Sequence, residues 1–276
     1  MRPDEPEPPP TGARPIGARP TGPRAVFCTH PLPRVESVCA GLRALGVPAW
    51  ALPAFALEPT GAGAIASAAR RLHEYDWVVF VSPGAVDALA AQVRPGDWPA
   101  ALHVAVVGQG SREALRAHDA ALAARAVGPT GAGADAQRLL EEAGLRELIA
   151  RRVLLVRGEQ GSDALAHAMA ERGAAVDALH AYRRAEAHWP AESIDALGAA
   201  ARADEAAVFV FTTAQAAALT RDRLRVLPDA PWAWARGQRA LAIHPRVAGQ
   251  ARQAGWMDVQ GFAPGSAGLL RALESD

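Results

Sequence analysis

Lysine and asparagine are absent from this chain, and all 29 of its basic residues are arginine. Without lysine there is no amine for a Schiff base to pyridoxal phosphate or a carbonyl substrate. A P-loop is excluded too, because its lysine holds the nucleotide phosphates. Cysteine is nearly as scarce. Cys28 and Cys39 are the only two, and neither belongs to a C-x-x-C pair. That argues against a disulfide framework or a thiolate zinc site and suits a reducing compartment. The eight histidines form neither H-E-x-x-H nor H-x-H, so no metal is expected. Net charge is also missing, since 29 acidic residues balance the 29 basic ones. No overall field draws the chain to nucleic acid or to a membrane surface. No apolar run approaches the roughly 20 residues of a membrane span, and no signal-peptide core opens the sequence. A cytoplasmic location is expected.

Several catalytic signatures are missing as well. The segment VGQGSREAL contains G-x-G but lacks the third glycine at the dinucleotide-binding spacing, and no acidic residue follows at the next strand end. There is no G-x-S-x-G hydrolase elbow and no pair of strand-end carboxylates for glycosidase chemistry.

What remains is a chain of 276 residues, half of them hydrophobic, long enough for two ordinary domains with proper cores. Residues 1–23 stand apart: proline is dense there, a GARP repeat recurs imperfectly, and there is little apolar surface to bury. Disorder is expected for that segment.

From Arg24 onward one unit recurs: a short apolar strand, a small or hydroxyl residue, then an Ala/Leu-rich helix ending at glycine. AVFCTHPLPRVESVCAGLRALGVPAW places a strand near 24–29 and a helix near 34–45, with Gly46 as its left-handed closing residue. VLLVRGEQGSDALAHAMAERGAAV gives a strand at 153–157, a helix at 162–172 and a stop at Gly173. ALAIHPRVAGQARQAGWMDV gives a strand at 240–244, a helix at 246–254 and a stop at Gly255. Alternation of this kind predicts parallel, doubly wound sheets. WVVFV (77–81) and AVFVF (207–211) read as interior strands buried on both faces.

A longer echo sets DWVVFVSPGAVDAL (76–89) beside EAAVFVFTTAQAAAL (205–219), which implies two related domains. VPAWALPAFALEP (47–59) and AAVDALHAYRRAEAHWP (174–190) read as crossings between them. The expected fold is therefore α/β: two similar doubly wound parallel-sheet domains joined by a two-stranded β linker. Residues 24–47 with 188–276 form the first domain, 60–175 the second, and 48–59 and 176–187 the linker strands.

Ligands of open α/β sheets bind beyond the carboxyl ends of the strands, where helix N-termini offer free N–H groups. The residues at those positions are Thr29 and His30, Ser82 to Gly84, Gly108 to Ser111, Arg157 to Gly161, Thr212 and Thr213, and His244 to Arg246. Thr29, Ser82, Pro83, Gly84, Ser111, Arg157, Gly158, Gly161, Thr212, Thr213, His244 and Arg246 form the candidate binding set. Amides, hydroxyls and arginines without carboxylates suit a ligand bearing several carboxylates. Each also has a plain structural reading: Ser and Thr as helix caps, Gly158 and Gly161 as turn residues, His244 before Pro245 as a turn. Tyr182, one of only two tyrosines, lies in the second crossing. Its phenol can donate a proton to a leaving group, or its ring can simply pack against the hinge.

These segments together resemble the uroporphyrinogen-III synthase family over about residues 24–273. The resemblance is carried by FVSPGAVDAL (80–89), VAVVGQGSREAL (104–115), VLLVRGEQGSDAL with ERGAAVDALHAYRR, and AIHPRVAGQARQAGW (242–256), in that order and spacing. It implies a cytosolic, cofactor-free monomer that cyclises hydroxymethylbilane, a linear tetrapyrrole with eight carboxylates, to uroporphyrinogen III. Ring A loses its hydroxyl, the substituted carbon of ring D attacks, and ring D recloses inverted through a spiro intermediate. By resemblance Tyr182 assists departure of the hydroxyl, and Ser82, Ser111 and Thr212 line the cleft. Departures from the family pattern are Gly84 for a larger polar or basic residue, Ser111 for Thr, and Arg246–Val247 for a Thr-Thr pair. The alternative is a non-catalytic two-domain binding protein that closes on an organic anion.

Overall fold

The computed structural model describes residues 25–129, 136–142 and 144–275. The Pro/Gly-rich segment 1–23, for which disorder is expected, lies outside the described residues.

Along the chain come β1 (Ala25–Cys28), α1 (Arg34–Ala44), β2 (Ala49–Ala51), β3 (Ala56–Pro59), α2 (Ala62–Arg70), β4 (Trp77–Phe80), α3 (Pro83–Ala90), β5 (His103–Val106), α4 (Gln109–His118), α5 (Ala120–Arg125) and α6 (Ala136–Leu139). There follow β6 (Arg152–Gly158), α7 (Ala164–Glu171), β7 (Ala175–Ala185), α8 (Ala191–Arg202), β8 (Ala207–Phe211), α9 (Ala216–Val226), α10 (Trp232–Ala235), β9 (Arg239–Ala242), α11 (Pro245–Gln253), β10 (Asp258–Gly261) and α12 (Ser266–Glu274).

Two five-stranded sheets result, one ordered β10-β9-β8-β1-β2 and the other β3-β7-β6-β4-β5. The first is parallel throughout, and the second is parallel except for β3, which runs antiparallel to β7. The chain thus begins in the first sheet, builds the whole second sheet, and returns.

Side chains alternate faces along a strand, so a strand apolar at every position feeds two cores. β8 shows this directly: Phe209 and Phe211 join Phe27 and Trp256 on one face, while Val208 and Val210 join Val26 and Leu241 on the other. β4 divides in the same way, with Val78 and Phe80 on one face and Trp77 and Val79 on the other. Helices cover both faces of each sheet, as the sequence pattern predicts. Gly46, Gly173 and Gly255 close their helices at φ +77°, +89° and +96°, a region where a side chain is strained.

The crossings differ from the linker expected from sequence. Segment 48–59 contains two short strands rather than one. β2 pairs in parallel with β1 (Val26 with Ala49, Cys28 with Ala51), and only β3 belongs to the second sheet. Pro53 lies between them, and it has no N–H to continue a ladder. The return crossing is a single strand of 11 residues. The first part of β7 pairs with β6 (Arg152 with Ala175 through Arg157 with His180), and its end pairs with β3 (Pro59 with Tyr182, Ala56 with Ala185). β3 is also tied to the loop after β1, because the Leu32 amide donates to Phe55 O at 3.0 Å and the Leu57 amide to Leu32 O at 3.1 Å. Leu57 packs against a core cluster of each sheet. The joint between the halves is therefore a short ladder with one shared apolar side chain.

Candidate functional site

The carboxyl ends of β4, β6 and β7 lie side by side, and Tyr182 sits where they meet. Its Cα pairs with Gly158 on β6 and with Pro59 on β3. The residue is 8% exposed, and its hydroxyl lies 2.9 Å from Ser82 Oγ. Ser82 also caps α3 by accepting the Ala85 N–H at 3.1 Å. One hydroxyl therefore holds both a helix start and a phenol.

Two glycines flank the tyrosine ring. A Cβ at Gly158 would fall 2.6 Å from Tyr182 Cε2 and 3.1 Å from its hydroxyl oxygen. A Cβ at Gly84 would fall 2.5 Å from Leu57 Cδ1 and 3.4 Å from Tyr182 Cε1. These distances account for glycine at both positions: the ring and Leu57 occupy the volume that side chains would need. Neither glycine has a positive φ, so the constraint is space and not backbone conformation. Tyr182 thus packs against the ladder, with its hydroxyl held beside Ser82 at the ends of β4 and β6.

Beside this group, α4 begins at Gly108, which has no side chain to cap it. Ser111 in its first turn is buried. A Cβ at Gly110 would touch Pro83 at 3.4 Å, which sets the starts of α3 and α4 against each other. Two adjacent helix N-termini favour negative charge at this edge.

Two members of the expected binding set turn inward. Thr29 is fully buried, and its hydroxyl donates to Val210 O on β8 at 2.8 Å. It latches two strands and is out of reach of a ligand. Arg157 is 3% exposed. Its guanidinium donates to Gly158 O at 3.3 Å, to Gly161 O and to the Asp163 carboxylate. A Cβ at Gly161 would lie 3.0 Å from that guanidinium. Arg157 and Gly161 shape the loop after β6, and the guanidinium is committed within that loop.

On the first sheet, Thr212, Thr213 and His244 are half-buried at the ends of β8 and β9, and Arg246 is exposed. His244 caps α11, its Nδ1 accepting the Arg246 N–H at 3.1 Å. His30 follows β1. Burial, and secondarily the charge of Arg34, holds its imidazole at about 4 against an ordinary 6.5. The unfolded chain takes up this proton near pH 6.5 and the folded chain only near pH 4. The stability from a neutral ring is therefore intact above the first value and lost as pH falls toward the second. At about 1.4 kcal/mol per pH unit the whole loss is about 3 kcal/mol. Urea unfolding at pH 7 and near pH 4.5 is expected to show this loss in the wild type and a smaller one in His30→Gln. Equal losses in both proteins would remove His30 as the cause.

Sequence reading missed the contacts that tie the halves together at this edge. From β7, Arg184 donates to the Gln215 side chain at the start of α9 at 2.7 Å, and its amide donates to Gln160 Oε1 at 3.0 Å. The available signal was the pair of arginines after Tyr182. Next to it Arg183 pairs with Glu58 across the ladder at 2.8 Å, an exposed ion pair of little energetic weight. Among the described residues no group of three or more His, Cys, Asp or Glu could hold a metal ion. No helix among them is long and apolar enough to cross a membrane.

Two largely parallel sheets with helices on their faces, and a row of small, hydroxyl and basic residues at the strand ends, define a two-domain α/β protein. A family model described as uroporphyrinogen-III synthase HemD matches residues 36–269, and the chain belongs to that family. It is 28% identical over 270 residues to a uroporphyrinogen-III synthase of Salmonella typhimurium, covering 91% of this chain and 100% of that protein. It is 26% identical over 257 residues to the Escherichia coli protein of the same name, with the same coverage. A solved mutant uroporphyrinogen III synthase from the extremely thermophilic bacterium Thermus thermophilus superposes with a TM-score of 0.51 at 21% identity, over 91% of this chain and 99% of that one. That likeness shows the fold.

Proposed function

We propose that this chain carries out the reaction for which its family is named, cyclisation of hydroxymethylbilane to uroporphyrinogen III with loss of water and inversion of ring D. It acts as a cytosolic monomer without a cofactor. The observation that carries the reading is the seat of Tyr182: a phenol held between Gly84 and Gly158, 2.9 Å from Ser82, on the strand that joins the two halves.

The chemistry asks little of a nucleophile and much of geometry. Departure of a hydroxyl from ring A requires a proton, and a phenol at the sheet edge can deliver one. Ser82 orients that phenol while its own oxygen is pinned by the Ala85 amide. The azafulvene cation that follows closes at either of two carbons of ring D. Attack at the substituted carbon is favoured when the two ends are held in register, which is a positional form of catalysis. The starts of α3 and α4 on one side, and of α9 and α11 on the other, offer amide donors to the acid side chains. Thr212 and Arg246 add contacts at the edge of the first sheet.

The test is incubation with enzymatically generated hydroxymethylbilane, followed by oxidation and separation of the isomers. The type III isomer is expected in excess. A distribution equal to that of the unaided reaction, which gives type I, would overturn the proposal. Tight binding of a small organic acid without any turnover would move the chain to the class of binding proteins.

A further inference from the structure

Four buried side-chain polar atoms among the described residues have no hydrogen-bond partner: His30 Nδ1, Thr213 Oγ1, Thr220 Oγ1 and His244 Nε2. Thr220 is inside α9. The other three share one position in the fold. Each belongs to the second residue beyond its strand, after β1 (ending at Cys28), β8 (ending at Phe211) and β9 (ending at Ala242). These strands are neighbours in the order β9-β8-β1, so the three residues lie along one end of the sheet with a spacing of about 5 Å from strand to strand. In the second sheet the equivalent residue after β4 is Ser82, which holds the Tyr182 hydroxyl.

Chemistry at this edge is decided by the helix cap. His244 Nδ1 accepts the Arg246 N–H, so in the neutral ring the proton is on Nε2, and the unpartnered atom is a donor. Thr213 Oγ1 also carries a proton. Unmet donors at neighbouring strand ends call for an acceptor. Positive charge is close by. Arg34 lies near enough to His30 to act on it electrostatically, and Arg246 stands in the first turn of α11. Neither guanidinium has a hydrogen-bond or ion-pair partner among the described residues. Buried donors without partners are costly and rare in folded proteins, and a bound acceptor is one arrangement that satisfies them.

We propose that the ends of β1, β8 and β9 form a carboxylate subsite in which His244 Nε2–H, the Thr213 hydroxyl and the His30 ring receive one acid side chain of the substrate, with Arg34 and Arg246 as counter-charges. The identity of the substrate rests on the reading given under Proposed function. The subsite anchors the tetrapyrrole on the first half of the molecule, while Tyr182 acts from the second.

Two substitutions separate this role from a structural one. Thr213→Val keeps the shape and removes an unmet donor. It is expected to melt at the wild-type temperature or higher, yet to raise KM about tenfold with kcat changed less than twofold. His244→Asn keeps a side-chain oxygen to cap α11 and loses the Nε2 donor, and the same KM rise is expected. Calorimetry with mellitate, a benzene hexacarboxylate, reads the subsite without turnover, and both variants are expected to bind it about tenfold more weakly than wild type. Unchanged KM and mellitate affinity in the two variants, or a fall in melting temperature for Thr213→Val as the sole effect, would overturn the subsite. A wild type that yields only the type I isomer while the variants still lose mellitate would overturn the proposed reaction and leave the subsite standing.

Discussion

Tyr182→Phe is expected to lower kcat by roughly 10²-fold or more, the range in which a positioned proton donor contributes, while the protein stays folded. The side chain is 8% exposed and packs in the core of the second sheet, so the phenylalanine ring keeps its seat between Gly84 and Gly158. What is lost is one hydroxyl and its 2.9 Å contact with Ser82. Ser82 keeps the Ala85 amide as a partner, so no group is stranded by the change. The cost in stability is that of a single net hydrogen bond, about 1 kcal/mol. Slower turnover also leaves more substrate to the unaided route, so the fraction of type I product is expected to rise. Circular dichroism and a thermal melt establish folding, and the isomer assay reads activity. Wild-type kcat in a folded Tyr182→Phe protein would reduce Tyr182 to a packing residue.

Gly158→Ala is expected to reproduce much of that loss without touching the tyrosine. The new methyl would stand 2.6 Å from Tyr182 Cε2 and 2.8 Å from Cζ, well inside contact distance. The ring has little room to retreat, because Leu57 fills the space on the side of Gly84. Displacement therefore pulls the hydroxyl away from Ser82. Overpacking of this sort costs about 1–3 kcal/mol. A fall in kcat approaching that of Tyr182→Phe is expected, about 10²-fold. The double variant then serves as the control. If both changes act through the phenol, Gly158→Ala adds almost nothing to the kcat loss of Tyr182→Phe, although the stability penalties still accumulate. Full additivity in kcat would place the effect of Gly158 elsewhere, in its own backbone or in the loop that Arg157 organises.

The elements most legible in the sequence were those determined by local rules. AVFVF reads as an interior strand because every position is apolar and β-prone, and β8 spans Ala207–Phe211 as expected. Gly46, Gly173 and Gly255 mark helix ends because only a residue without Cβ takes a left-handed φ freely. The crossings were legible in outline only. AWA is too short to carry a period, and its pairing with β1 depends on a partner strand that the segment itself does not encode. Within the candidate site, Tyr182 stood out by rarity and position, but Gly84 and Gly158 read as members of the binding set, Gly158 also as a turn residue, and not as the seat of its ring. Arg184 went unnoticed because its partner Gln215 is 31 residues away.

The sequence by itself determined the α/β alternation, the order in which the chain crosses between its halves, the family, and the set of strand-end residues from which the site is drawn. Which of those residues commit their polar atoms within the fold was decided only by tertiary structure. Thr29 and Thr213 are alike on paper, each a threonine just past an apolar strand. Thr29 commits its hydroxyl to Val210 O, 181 residues away, while the hydroxyl of Thr213 has no partner among the described residues. A hydrogen bond is settled by distances of a few tenths of an ångström, and those distances exist only once strands far apart in the chain have been laid side by side.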